Sequence, residues 1–236
     1  HPAPFAYRDA ERLIRFFSKK SEAVLDPFCG VGSTLKACAL SDRAGVGIEL
    51  NQKFCDLSRR RLRQEVPKAQ RATQRVYCGD ARNVINKLAR DQFSFILTSP
   101  PYWSILSKPT RSEPSSKHRK GSVSYGNDGR DFASIHDYND FVESLSCFID
   151  SLKRVLQPNR YMAVIVADFR HRETLYPLQA DLITAMRKLN MKGPRRLTLQ
   201  GIKIIAQNQK KLYPYGFPTT YVPNIHHHYV LIFRNI

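Results

Sequence analysis

Thr98-Ser99-Pro100-Pro101-Tyr102-Trp103 is the stretch whose residue types could do chemistry, and it follows the apolar run Phe93-Ser94-Phe95-Ile96-Leu97. Two consecutive prolines donate no backbone hydrogen bond, so a strand must stop at Pro100, and their fixed φ angles stiffen the carbonyls of Ser99 and Pro100. A rigid row of acceptors beside an aromatic face, Tyr102 or Trp103, suits a flat heterocycle with an exocyclic amino group. Ser99, Pro100, Pro101 and Tyr102 are therefore the candidate catalytic residues, with Trp103 as a candidate substrate contact. A Pro-Pro pair by itself only ends a strand.

A second stretch changes the weight of the first. Asp26-Pro27-Phe28-Cys29-Gly30-Val31-Gly32-Ser33-Thr34 follows the short run Ala23-Val24-Leu25 and opens a helix from about Ser33 to Leu40. Gly30 and Gly32 permit a tight turn and close backbone approach to a ligand. Glu49 lies about twenty residues on, where an acid accepts hydrogen bonds from ribose hydroxyls. Leu35 stands where a dinucleotide fingerprint has its third glycine, and no phosphate-cradling lysine loop is present, so a pyrophosphate has no evident seat. A nucleoside with a cationic tail suits Asp26 better.

The elements that must position these stretches alternate. A helix over Asp9 to Phe17 precedes the first strand; Gly45 to Ile48, Val76 to Cys78 and Phe93 to Leu97 are expected as the next three strands. Asn51 is placed to cap a basic helix running through Arg63, and Val84 to Leu88 are expected on the helix after Asp80. Helical periodicity from His136 to Leu156 is expected to stop at Pro158, followed by a strand over Tyr161 to Ala167 ending at Asp168. A helix over Leu178 to Leu189 and strands over Gly201 to Ala206 and Tyr229 to Phe233 complete the reading. This spacing implies an α/β, doubly wound, mostly parallel sheet whose last strand is antiparallel. Ligands of such sheets gather at the carboxyl ends of the strands, which here carry Asp26, Glu49, Asp80 and Ser99.

Residues 104–135 are polar and basic and are expected to form a long mobile loop. One domain over residues 1–236 is the default at this length. Lysine and arginine total 38 against 20 acidic residues, a net charge of +18 spread along the chain. That balance favours nucleic acid as partner. The five cysteines are scattered, with no C-x-x-C pair, which suggests neither a disulfide framework nor a zinc site and fits a reducing interior. His226-His227-His228 alternate faces on a strand, so no metal is expected there. No apolar run suits a bilayer, and His1-Pro2-Ala3-Pro4-Phe5 does not read as a signal peptide. An intracellular setting is expected, cytoplasmic and nucleoid-associated in a bacterium. Oligomeric state is not encoded in these patterns.

Together, the Asp26 to Thr34 and Thr98 to Tyr102 motifs resemble the S-adenosylmethionine-dependent amino-group DNA methyltransferases, which modify N4 of cytosine or N6 of adenine. The resemblance covers nearly the whole chain and implies a Rossmann-like methyltransferase fold with a seven-stranded sheet. It implies S-adenosylmethionine as cofactor and double-stranded DNA as partner. Pro4 and Phe5 resemble the family's cofactor-contacting segment before the first strand; Phe28, Gly30 and Gly32 would form the cofactor turn, Glu49 would take the ribose, Leu50 would be a further cofactor contact, and Asp80 would meet the adenine amine. Serine before Pro-Pro is more typical of N4-cytosine members, so cytosine is preferred over adenine. Carbon-5 chemistry is disfavoured, because none of the five cysteines follows a proline. A buried target amine requires base flipping, and Tyr215 within Tyr213 to Pro218 is a candidate receiver. Two alternatives remain: a guanine-N2 RNA methyltransferase, which usually shows Asp-Pro-Pro-Tyr at the second motif, and a catalytically inactive nucleic-acid-binding module.

Overall fold

The computed structural model describes residues 7–103, 131–171, 174–190, 194–207 and 224–236. In chain order, β1 (Ala23–Asp26), β2 (Ala44–Glu49), β3 (Gln74–Cys78) and β4 (Phe93–Thr98) alternate with α1 (Tyr7–Phe17), α2 (Ser33–Leu40), α3 (Gln52–Glu65), α4 (Lys68–Arg71) and α5 (Ala81–Asn86). The second half comprises α6 (Tyr138–Ser151), β5 (Leu156–Val166), β6 (Phe169–His171), β7 (Thr174–Tyr176), α7 (Leu178–Leu189), β8 (Leu197–Ala206) and β9 (His227–Asn235). Seven strands form one sheet in the order β3-β2-β1-β4-β5-β9-β8. The first five pair in parallel, and β9 runs antiparallel between β5 and β8. The expected doubly wound sheet with an antiparallel last strand is the architecture found.

Local sequence explains most of these elements. β4 is buried at every position, as a central strand covered on both faces must be. Helix α1 turns Ala10, Leu13 and Ile14 inward, and its Phe17 ring stacks on Phe95 of β4 at 5.1 Å between centroids. Asn51 and Asp80 cap α3 and α5 by accepting from the backbone N–H of Lys53 and Arg82. Two cores result. One, under α1 and α2, holds Ala10, Leu13, Phe95 and Ile165; the larger, under α6 and α7, holds Ile96, Phe141, Leu145, Leu182 and Phe233.

Arg43 joins the two helices on the first face. It is buried, and its guanidinium donates to the Ser41 carbonyl, to the Ser18 carbonyl at 2.6 Å and to Ser18 Oγ at 3.3 Å. These groups follow the carboxyl ends of α1 and α2, where carbonyls lack intrahelical partners. Arg43→Leu is expected to lower stability by about 2–4 kcal/mol by orphaning them. Urea unfolding checks this, and a loss below about 1 kcal/mol contradicts it.

Several expectations need correction. The helix expected over His136 to Leu156 is shorter: α6 ends at Ser151, a 3-10 turn spans Leu152–Arg154, and Leu156 already lies in β5. Pro158 therefore sits inside a strand. It is tolerated because Gln157 to Arg160 loop out of the ladder, the β4 pairing jumping from Leu156 to Tyr161 with Asn159 at φ +62°. Helix α5 ends at Asn86, before Leu88. β8 starts at Leu197, four residues earlier than expected, with a register shift between Leu199 and Gly201. The β6–β7 hairpin was not foreseen; three-residue strands leave no periodicity to detect. Of the segment expected as a mobile loop, 104–130 lies outside the described residues. At its end, Asp131 caps a 3-10 turn over Phe132–Ser134, and Phe132 and Ala133 are buried.

Candidate active site

The strand order reverses at β1, and the loops after β1 and β4 leave the sheet in opposite senses, which opens a crevice at their carboxyl ends. An open cleft lies there. Asp26 to Val31 form one wall, Ser99 to Tyr102 another, and Glu49, Leu50, Asp80, Asp131 and Phe132 close the rest. Ten of the positions singled out in sequence thus share one cavity: Ser99, Pro100, Pro101, Tyr102, Asp26, Phe28, Gly30, Glu49, Leu50 and Asp80.

The turn after β1 is held from three sides. Cys29 N donates to the Ile48 carbonyl at 2.9 Å and Gly32 N to the Cys29 carbonyl at 2.8 Å. Gly30 N donates to Glu49 Oε2 at 3.0 Å, while Glu49 Oε1 accepts from Asn51 N at 2.8 Å. Gly30 and Gly32 take φ of +51° and +82°, a region L side chains rarely adopt. Gly32 is not a cleft residue. A Cβ there would lie 2.3 Å from Ser58 Oγ, so its service is to let α2 start close against α3. Glu49 is drawn above the ordinary carboxylate range by burial, opposed by its two backbone donors.

Asp26 accepts from three donors. Its Oδ1 accepts from Phe28 N at 3.0 Å and from Thr98 Oγ1 at 2.9 Å, and its Oδ2 accepts from Thr34 Oγ1 at 2.5 Å. This knot ties β1, α2 and β4 together at the wall of the cleft. Burial raises its pKa to about 6 against the pull of those three donors. The folded state then binds the proton more tightly than the unfolded chain. The protonated carboxyl contributes about 3 kcal/mol of stability, fully present below pH 4 and lost as pH rises through 6. Asp26→Asn should lack that slope. Urea unfolding of both proteins from pH 4 to 7 checks it, and parallel stability curves would contradict it.

Asp80 is clamped by a neighbour. Arg82 reaches it through Nε at 3.0 and 3.1 Å and through Nη2 at 2.8 Å, while Arg82 N donates to Oδ1 at 2.9 Å. The same guanidinium lies 5.1 Å from the Phe132 ring centre. Phe132 meets Phe28 edge-on at 5.8 Å, and Phe28 packs on Phe148 at 5.1 Å.

Trp103 is a correction. It is 5% exposed, its indole N–H donates to the Ile135 carbonyl at 2.9 Å, and its ring packs among Tyr138, Phe169 and Tyr176, below the cleft. Extended neighbours point to opposite sides, so Tyr102 keeps the cleft and Trp103 joins the core. Pro4, Phe5 and Tyr215 lie outside the described residues. Asp131 and Phe132 were missed; the signal was an Asx-type cap followed by one aromatic inside a polar stretch. Asp168 accepts from Gln179 N at 3.3 Å at the start of α7, outside the cleft lining. The basic face of α3 is partly structural, since Arg59 and Arg61 donate to the Val76 and Val31 carbonyls.

Among the described residues, no group of three or more His, Cys, Asp or Glu side chains converges for a metal, and no helix is long and apolar enough to cross a membrane. His226 turns to the Asn224 carbonyl, His227 to the Tyr229 ring and His228 to Gln207. All five cysteines are free thiols.

Residues 1–60 match a family model described as DNA methylase. The chain resembles the amino-group DNA methyltransferases. An orphan methyltransferase, M.BamHII of Bacillus amyloliquefaciens, is 38% identical over 66 residues, which make up 28% of this chain and 25% of that protein. The type II methyltransferase M.MthZI of Methanothermobacter thermautotrophicus is 39% identical over 62 residues, 26% of this chain and 18% of its own. The matches thus span a quarter or less of these relatives. The family match takes in the Gly30 turn and Glu49 and stops before Ser99. Over the whole chain the likeness is one of fold. TrmN from Thermus thermophilus superposes with a TM-score of 0.57 at 14% identity, covering 96% of this chain and 48% of its own. A SAM-dependent methyltransferase from Methanosarcina mazei superposes at 0.54 with 12% identity, covering 94% and 96%. The sheet has the Rossmann-like methyltransferase fold.

Proposed function

We propose that this chain, acting over residues 1–236 as one catalytic domain, transfers a methyl group from S-adenosylmethionine to an exocyclic amine of a base in double-stranded DNA, with N4 of cytosine as the target. The observation that carries the reading is the shared cleft, in which the Gly30 turn and Glu49 face the Ser99 to Tyr102 acceptors. Its carboxylate acceptors and apolar walls suit the cofactor. Glu49 offers acceptors for ribose hydroxyls, Asp80 for a purine amine, and Leu50 and Phe132 offer apolar faces for the purine ring. The bound sulfonium supplies the methyl group.

The chain's own residues prepare the acceptor. An exocyclic amine is a weak nucleophile because its lone pair is delocalised into the ring. Ser99 and the Pro100 carbonyl accept its hydrogens, which favours a pyramidal nitrogen with a localised lone pair, and the Tyr102 face holds the base in line. Rigid prolines keep these acceptors from reorganising during the transfer. Electrostatics sort what enters. A chain of net charge +18 draws the DNA backbone to its exterior, while the carboxylates Glu49, Asp80 and Asp131 lining the cleft disfavour phosphate there. The base reaches the cleft by flipping out of the stack.

Incubation with methyl-labelled S-adenosylmethionine and duplex DNA, followed by nucleoside mass analysis, is expected to yield N4-methylcytosine. N6-methyladenine would keep the same site and shift the target base. Label on tRNA alone would overturn the reading in favour of the RNA alternative, and DNA binding without methylation would favour the inactive module. An endonuclease encoded beside the gene would mark a restriction–modification role.

A further inference from the structure

We propose that Arg82 is the positioning residue of the cofactor's purine subsite: it aims the Asp80 carboxylate and braces Phe132, so that the purine's edge and face are recognised by one preassembled unit. The inference rests on the reading of the cleft as an S-adenosylmethionine site and goes beyond it by assigning a role to a residue outside both motifs. Three observations carry it. Both oxygens of Asp80 are engaged by the Arg82 side chain at 2.8–3.1 Å, a forked arrangement that fixes the carboxylate plane where a single contact would leave it free to rotate. The guanidinium also lies 5.1 Å from the centre of the Phe132 ring, a cation–π distance. Asp80 and Phe132 both line the cleft, although they are about fifty residues apart and sit on different elements.

The arrangement has a consequence beyond packing. Phe132 belongs to the 3-10 turn over Phe132–Ser134, and Trp103 donates to the Ile135 carbonyl just beyond that turn. Arg82 therefore ties the end of β3, on the cofactor side, to the turn behind Ser99 to Tyr102, on the side of the target base. Its own exposure argues against a role in stability. The Arg82 side chain is 44% exposed, and an ion pair this open adds little to folding.

A double-mutant cycle on the intact chain tests this, with calorimetric affinity for S-adenosylmethionine as readout. Asp80→Asn is used because asparagine still caps α5. Arg82→Ala and Asp80→Asn are each expected to weaken binding about tenfold, and the double variant about tenfold to thirtyfold, because one variant already removes what the other disrupts. Arg82→Lys should restore less than half of the lost affinity, since an ammonium cannot hold both oxygens in a fork. The ligand-free Arg82→Ala protein should melt within about 2 °C of the parent. Losses that multiply to about a hundredfold, unchanged binding in Arg82→Ala, or a melting drop well beyond that value would each overturn the assignment. A parent protein that binds no S-adenosylmethionine at millimolar concentration would overturn the reading of the cleft and this role with it.

Discussion

Ser99→Ala is expected to slow methyl transfer by about 10²–10³-fold while S-adenosylmethionine still binds, because the lost acceptor acts on the amine only as it reacts. The magnitude is that of removing one preorganised hydrogen-bonding group aimed at developing charge. Tyr102→Ala should behave differently. It removes the face on which the base rests, so it raises the KM for DNA as well as lowering kcat. Single-turnover kinetics with duplex DNA, paired with cofactor calorimetry, separates the two. Equal losses of cofactor affinity and of rate in Ser99→Ala would mean that this segment shapes the cofactor site and does not hold the amine.

Glu49→Ala should have its largest effect at the other end of the cleft. The carboxylate accepts from Gly30 N at 3.0 Å and Asn51 N at 2.8 Å, so its removal orphans two donors and releases the turn that Gly30 forms. Losing hydrogen bonds to a charged group at a buried site costs about 2–3 kcal/mol, which corresponds to a loss of S-adenosylmethionine affinity of about 30–150-fold. Glu49→Gln keeps one carbonyl acceptor and should fall between the parent and Glu49→Ala. Equilibrium binding measures the series. A cofactor affinity in Glu49→Ala within threefold of the parent would remove Glu49 from the site.

The half of the fold up to Thr98 was legible because β1, β2 and β4 are short apolar runs and each strand is followed by a polar residue at the same end of the sheet. Asp26, Glu49, Asp80 and Ser99 could be aligned as strand ends without knowing any contact, and they line one cleft. What could not be read was partnership. Asp26 looks like a ligand acid in sequence, yet Thr34, Thr98 and Phe28 N all donate to it. Nothing local announces that, because Thr98 lies 72 residues away. Trp103 shows the same limit. Its neighbour Tyr102 has a cleft to face, and alternation of side chains alone decides that the larger aromatic goes into the core.

Past Thr98 the sequence was less informative for a different reason. Pro158 signals a stop in any local reading, and only the bulge at Asn159 permits β5 to contain it. Phe132 is one aromatic in a polar stretch; its value comes from meeting Phe28, 104 positions earlier, and Arg82 on another element. Sites built on strand ends declare themselves through pattern, whereas a wall contributed by a short turn does so only through packing.

The most direct test of the account is a crystal structure with S-adenosylhomocysteine bound. The ribose should lie against Glu49, the purine between Leu50 and Phe132, and the sulfur should point toward the Ser99 and Pro100 acceptors. A ligand seated in this cleft with its sulfur directed away from Ser99, or seated elsewhere on the protein, would contradict the claim that one cavity serves both the methyl donor and the amine.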